Sequence, residues 1–203
     1  MDNTQNSLLR TLSRLLLAGL ILFELFNQFG ILDFTLDFTW FGLAITSIIA
    51  WVVLESVSRS LKKSCGQPMN AFAFLFAVGV VYVDALGDIL HFYSKFGWYD
   101  QTAHFLGGMA IAGLAFDLLW QSNKCRKIVL GNWGLSFFSV FTASFVLILY
   151  ELEEYLEDVF TGSHRLGDGP DTANDLMMGV LGAFVIIVIV NIVLKTIKIQ
   201  ETT

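Results

Sequence analysis

Charge is scarce in this chain. Only 15% of its 203 residues are Asp, Glu, Lys or Arg, where a soluble domain carries roughly 25%. Hydrophobic residues make up 55%, 19 of them Phe, and the mean hydropathy is +0.66. That shortage excludes an ordinary soluble domain and points to an integral membrane protein. Basic tracts are missing as well. With a net charge of −6, nucleic acid is excluded as a partner, because phosphate binding needs clustered Lys and Arg. There is no glycine loop able to cradle phosphate and no Ser- or Cys-centred nucleophile constellation, so no nucleotide cofactor is expected. No internal repeat, low-complexity linker or composition break divides the chain, which reads as one domain.

What the chain does have is long apolar runs. Six stretches approach the ~20 residues needed to cross a ~30 Å hydrocarbon core: 11–30, 40–57, 70–92, 100–121, 133–154 and 174–195. The first follows Arg10 and Arg14 like a signal peptide. Glu24 interrupts it, however, and no small-x-small cleavage site follows, so it reads as an uncleaved helix. The expected fold is all-α, a polytopic integral membrane bundle of six transmembrane helices over residues 1–203.

The cations give an orientation. Arg10, Arg14, Arg59, Lys62, Lys63, Lys124, Arg126, Lys127, Lys195 and Lys198 fall on one side, and only Lys95 and Arg165 on the other. Ten against two is a strong positive-inside bias, and an even number of spans then predicts both termini in the cytoplasm. Trp40, Trp98, Tyr99, Trp120 and Trp133 lie near span ends, where amphipathic rings favour the interface. Cys65 and Cys125 both fall in predicted cytoplasmic loops, so free thiols and no structural disulfide are expected.

Run with that orientation, the spans bring their acids to one depth on the outer side. The third carries Asp84, Asp88 and His91 at i, i+4, i+7, a single helical face. The fourth opens with Asp100 and His104 one turn apart, the fifth ends with Glu151, Glu154 and Asp158 on one face, and the sixth opens with Asp171 and Asp175. Eight acids crowd residues 150–176: Glu151, Glu153, Glu154, Glu157, Asp158, Asp168, Asp171 and Asp175. Ionisable groups near hydrocarbon cost a few kcal/mol or more unless paired, hydrated or ligated, and facing carboxylates repel one another. A divalent ion relieves that repulsion. Oxygen ligands with imidazole suit Mn, Fe or Zn, and Mg where water completes the shell. The candidate ligands are Asp84, Asp88, Asp100, His104, Glu151, Glu154, Asp171 and Asp175. The arrangement departs from the ferritin-like template, since neither Glu151 nor Glu154 begins a Glu-x-x-His.

Plainer roles compete for several of these residues. Glu153, Glu157 and Asp158 read as a solvated helix end, Asp171 as an N-cap with Asp175 favourable near the positive dipole end, and His104 as an interhelical hydrogen-bond partner. His164 reads as a solvated loop residue. Glu24 lies where it can contribute from the side, while Glu55 and Asp117 sit at the opposite end. Gly107, Gly108, Gly179 and Gly182 follow the polar residues of the fourth and sixth spans and predict close packing of those two helices.

The motifs Tyr99-Asp100-x-x-x-His104-Phe105, Glu151-x-x-Glu154, Gly167-Asp168-x-x-Asp171-Thr172-x-x-Asp175 and Gly182-Ala183 resemble those of the YjdF-like bacterial inner-membrane proteins. More distantly they are similar to the VanZ-like family, with its Asp-x-x-x-His-Phe helix and a late Asp-x-x-x-Asn before a glycine. The resemblance covers roughly residues 80–185. Glu154 stands where the VanZ-like pattern has Gln and Asp175 where it has Asn, which places the chain nearer the YjdF-like group. The VanZ-like resemblance implies a link to low-level glycopeptide resistance; the YjdF-like one implies a membrane location and no established activity.

Three function classes follow. The first is a metal-dependent hydrolase or transferase acting at the outer leaflet on a lipid or envelope precursor, with a metal-activated water and a spare carboxylate as base. The second is a proton- or cation-coupled transporter, which the nearly apolar inner halves of the later spans disfavour. The third is an envelope scaffold or resistance protein. Membrane lipids are the expected partners in each.

Overall fold

A computed structural model describes residues 3–200, with side chains from residue 4 to 196. Among the described residues the only regular elements are helices: α1 (Asn3–Gln28), α2 (Trp40–Cys65), α3 (Ala71–Ile89), the single turn α4 (Phe92–Lys95), α5 (Tyr99–Lys124), α6 (Asn132–Thr161) and α7 (Gly169–Gln200). The all-α expectation holds. Five helices, α2, α3, α5, α6 and α7, are long and apolar enough to cross a membrane.

The first expected span, 11–30, is helical as α1 but is not one of those five. Its composition is mixed because its two faces differ. Ser13, Glu24 and Asn27 are buried, while Leu8, Leu15, Leu22 and Phe26 are exposed, and the helix packs on α2 and α3. Leu17 and Leu20 are buried beside the polar three, so the inner face is mixed and the outer one rich in leucine, whereas a soluble amphipathic helix keeps its outer face polar.

Local chemistry ends the helices. Thr39 caps α2 by accepting from the Gly42 amide, and Asn70 caps α3 by accepting from Phe72 and Ala73. Gly66 and Gly162 close α2 and α6 in the left-handed conformation, which costs glycine little. At α3 the helix stops at Ile89, and His91 adopts φ 59°. His91 therefore leaves the face it was expected to share with Asp84 and Asp88.

Successive long helices run in alternating directions. One end of the bundle brings together Arg10 and Met69, Arg14 and Glu55, and Asn70 and Asp117. The other brings together Asp37 with Asp88, Thr39 with Glu157, and Arg165 with Asp84. The first is the basic end of the bundle and the second its acidic end. Cys65 and Cys125 meet at the basic end in a disulfide, with Cα atoms 5.5 Å apart, which corrects the expectation of free thiols. Each cysteine terminates its own helix, α2 or α5, and the crossing of those helices sets the distance between them; reading the loops by compartment missed that.

The tightest packing joins α5 and α7. A Cβ on Gly108 would collide with the Gly179 carbonyl, and one on Gly182 with the Phe105 carbonyl, so only glycine lets these backbones approach. Gly107 behaves differently: nothing lies within 4 Å of where its Cβ would sit.

Candidate functional site

The acidic end is organised by a residue that reading the sequence left among the loop cations. Asp158, near the end of α6, accepts hydrogen bonds from the Ser163 hydroxyl and from the Arg165 and Leu166 amides at 2.6, 2.6 and 3.1 Å. That clasp turns the loop between α6 and α7 back over the bundle and aims Arg165 inward. The Arg165 side chain is only 3% exposed. It donates to Glu154 at 3.1 Å, to Asp84 at 3.3 Å and to the Tyr150 hydroxyl at 2.6 Å, and lies 3.5 Å from Glu157. Its guanidinium also stands over the Phe38 and Tyr150 rings, a favourable position for a cation. Burial acts to lower its pKa, but Tyr150, Asp84 and Glu154 around it push it well above its ordinary value, so it stays charged.

Arg165 accounts for several of the acids. Asp84 faces it and also accepts from Tyr93 at 2.7 Å. Glu157, expected at a solvated helix end, is 4% exposed; it accepts from the Thr39 hydroxyl and packs where Gly42 leaves room. That correction has a simple cause, since α6 continues two turns beyond the expected span and its last turns lie under the 162–168 loop. Glu153 is half-buried, and Asp158 serves the loop clasp. His164 is exposed, as expected.

Asp88 does a different job. It is 1% exposed and accepts from the Asp37 and Phe38 amides at 2.6 and 2.8 Å, pinning the α1–α2 loop to the end of α3. Beside it, His91 Nδ1 lies 2.9 Å from Asp37, and its Nε2 lies 3.1 Å from the Thr35 hydroxyl. A carboxylate at Nδ1 selects the tautomer with the proton there, leaving Nε2 to accept. Burial acts to raise the Asp37 pKa, but hydrogen bonds from His91 and Ser94 outweigh it and hold the carboxyl below its ordinary value.

The remaining acids converge on His104, which is 5% exposed. Its Nε2 is 3.5 Å from Asp100 and its Nδ1 is 3.6 Å from Glu151. Ligand atoms of Asp100, His104 and Asp175 lie within 4.8 Å of one another, and so do those of His104, Glu151 and Glu154. Both Glu151 oxygens and Asp175 Oδ1 are buried without a hydrogen-bond partner. The Tyr150 ring packs edge-on against the imidazole. Four helical positions on α5 and α6, one turn apart within each helix, and one on α7 thus form a single pocket of oxygen and nitrogen donors. Asp171 is half-buried at the start of α7, and it is Asp168, not Asp171, whose side chain caps that helix by accepting from the Asp171 amide at 3.0 Å. Glu24 is fully buried and accepts from Ser47 at 2.9 Å, so it belongs to the α1–α2 contact.

Of the eight expected ligands, the fold therefore gathers Asp100, His104, Glu151, Glu154 and Asp175, and gives Asp84 and Asp88 other partners. Arg165 could have been suspected from one signal: it is a lone cation among eight acids.

No curated protein and no solved structure matches the chain. The YjdF-like resemblance agrees with the family found, and no match carries the VanZ-like one. A family model covers residues 11–196, and the chain belongs to that family, the predicted membrane proteins DUF2238.

Proposed function

We propose that this multi-pass membrane protein binds a divalent metal at His104 and uses it in hydrolysis or group transfer on a lipid or envelope precursor. Asp100, Glu151 and Asp175 complete the ligand set, and Glu154 links it to Arg165. The observation that carries the reading is the pair of overlapping donor groups sharing His104, with Glu151 and Asp175 oxygens buried and unpartnered. Buried carboxylates without partners are costly unless neutralised by a proton or a cation, and one imidazole among several carboxylates suits Mn, Zn or Fe, or Mg with added water. A bound ion would supply an activated water. Below His104 the interior is apolar, which favours a one-sided site over an ion path. The positive-inside bias argues for the basic end in the cytoplasm and this site at the outer leaflet of the inner membrane, where α1, with Leu8, Leu15, Leu22 and Phe26 on its outer face, serves as a sixth span.

Elemental analysis of the detergent-purified protein tests the proposal after incubation with Mn, Zn or Mg. Near-stoichiometric metal is expected in the wild type and in Asp88→Asn, and none in folded His104→Ala or Asp175→Asn. Absence of metal from every sample sinks the metalloenzyme reading.

A further inference from the structure

Directly beneath His104 lies a cavity of about 250 Å³ lined by α2, α3, α5 and α6 with Tyr93 of α4. Its upper end is polar, formed by His104, Asp84, Tyr93 and Tyr150. Everything deeper is aliphatic or small, including Ile49, Ala50, Val53, Ala110 and Val146. The cavity exists because small residues stand where larger ones would fill it, and Gly107 on its wall opens onto free space.

The walls are uneven. α2 and α6 both line the cavity without being packed together as a helix pair. They are held at the acidic end, where Thr39 donates to Glu157 and Gly42 receives the Glu157 carboxylate. Beyond that clamp the two helices leave a side opening. Ile49 and Val53 line the cavity and are about half exposed, more than a closed interior would allow, so the cavity opens along this wall. Thr46 Oγ1, on the same wall, is buried without a partner.

A polar mouth beside a donor cluster, an aliphatic interior and a lateral opening to the bilayer match one chemistry. We propose that the cavity admits an acyl chain of a membrane lipid from the side, between α2 and α6, and thereby presents that lipid's polar end to His104 and its carboxylates. This rests on the reading of the His104 cluster as the reacting site, and it makes the substrate class an acyl lipid. A water-soluble envelope precursor would have no use for the cavity. The clamp at Thr39 and Glu157 closes the acidic end, so entry runs through the bilayer plane.

The experiment uses the full chain in nanodiscs of phosphatidylethanolamine and phosphatidylglycerol, doped with a phosphatidylethanolamine bearing a diazirine near the end of one acyl chain. After illumination, adducts are mapped by peptide mass spectrometry. Adducts on cavity residues such as Ala50, Ala110 or Val146 are expected. They should fall several-fold in Gly107→Leu, where the new side chain enters open space, and persist in Gly79→Leu, where an exposed α3 position is equally open. Adducts confined to outward faces such as Phe141, Phe145 and Val188 overturn the proposal. So does cavity labelling that Gly107→Leu leaves unchanged. Wild-type mapping stands even if Gly107→Leu does not fold. Metal content measured on the same samples separates the two readings. Cavity labelling without metal keeps the acyl site and removes the metal, whereas metal without cavity labelling does the opposite.

Discussion

At the acidic end one guanidinium, Arg165, faces Asp84, Glu154 and Glu157 with 3% of its side chain exposed; at the basic end Arg14 and Arg59 share a single acid, Glu55, with 39% and 78% of their side chains exposed. The ratio of acid to base is inverted between the two ends, and so is the access of the cations to water. Where cations outnumber acids, solvent does most of the neutralising, and each ion pair adds little. Where acids outnumber the cation inside the bundle, the cation is required, and the negative charge left over has nowhere to go but a proton or a bound ion. The difference explains why the candidate site lies at one end only.

Four experiments break or sharpen that contrast. The largest effect is expected for Arg165→Leu, which strands Asp84, Glu154 and Glu157 without their cation; removing one partner of a buried pair typically costs about 3–5 kcal/mol. Thermal unfolding in detergent should show a large drop in Tm, and adding Glu154→Gln should recover part of it. If Arg165→Leu unfolds like the wild type, the buried hub is not structural.

Next comes the disulfide. Reduction of Cys65–Cys125 frees a 60-residue separation and should cost about 2 kcal/mol, the low end for such links, because helices held in a bilayer stay formed in the unfolded state. The same cysteines report topology. With the basic end cytoplasmic, cellular reductants keep the pair open as thiols, so a membrane-impermeant maleimide should label them after cell lysis without added reductant, and labelling of intact reduced cells would reverse the orientation.

Arg14→Ala is the counterpart of Arg165→Leu. Glu55 is buried, but Arg59 remains to face it at 3.3 Å, so a loss well below that for Arg165→Leu is expected. A loss as large as that for Arg165→Leu would erase the contrast between the ends.

The smallest effect concerns the Asp37–His91 latch. The folded-state pKa of Asp37 is lowered, so its stabilising contribution is present above its ordinary unfolded value and is lost as pH falls through the lower, folded one. Hydrogen exchange of the Ser94 amide, which donates to Asp37 at 3.0 Å, should therefore lose protection, corrected for intrinsic rate, only at strongly acidic pH. Asp37→Asn should weaken the latch across the range. Protection lost well above the carboxylate range would exclude Asp37 as the group responsible.

Much of this was legible beforehand. The expected span 100–121 lies within α5, and 133–154 lies within α6. Asp100 and His104, and likewise Glu151 and Glu154, share helical faces because periodicity is a local property of the chain. The glycines of α5 and α7 were also readable as a pair, although only the packing separates Gly108, blocked by a backbone carbonyl, from Gly107, which opens on the cavity. Asp88 and His91 look equivalent to Asp84 by spacing. The helix end at Ile89 and the left-handed turn at His91 send them instead to the α1–α2 loop.

By itself, then, the sequence determined a helical membrane protein with its acids gathered toward one end, because hydropathy and the 3.6-residue period are carried by neighbours along the chain. Only the tertiary structure decided which acid meets which partner. Arg165 becomes a hub because Asp158 folds its loop back, Cys65 finds Cys125 because two helices converge, and His104 gathers Asp100, Glu151, Glu154 and Asp175 while Asp88 holds a loop. Each of those outcomes depends on loop reversals and on the rotation of helices about their axes, and residues far apart in sequence set both.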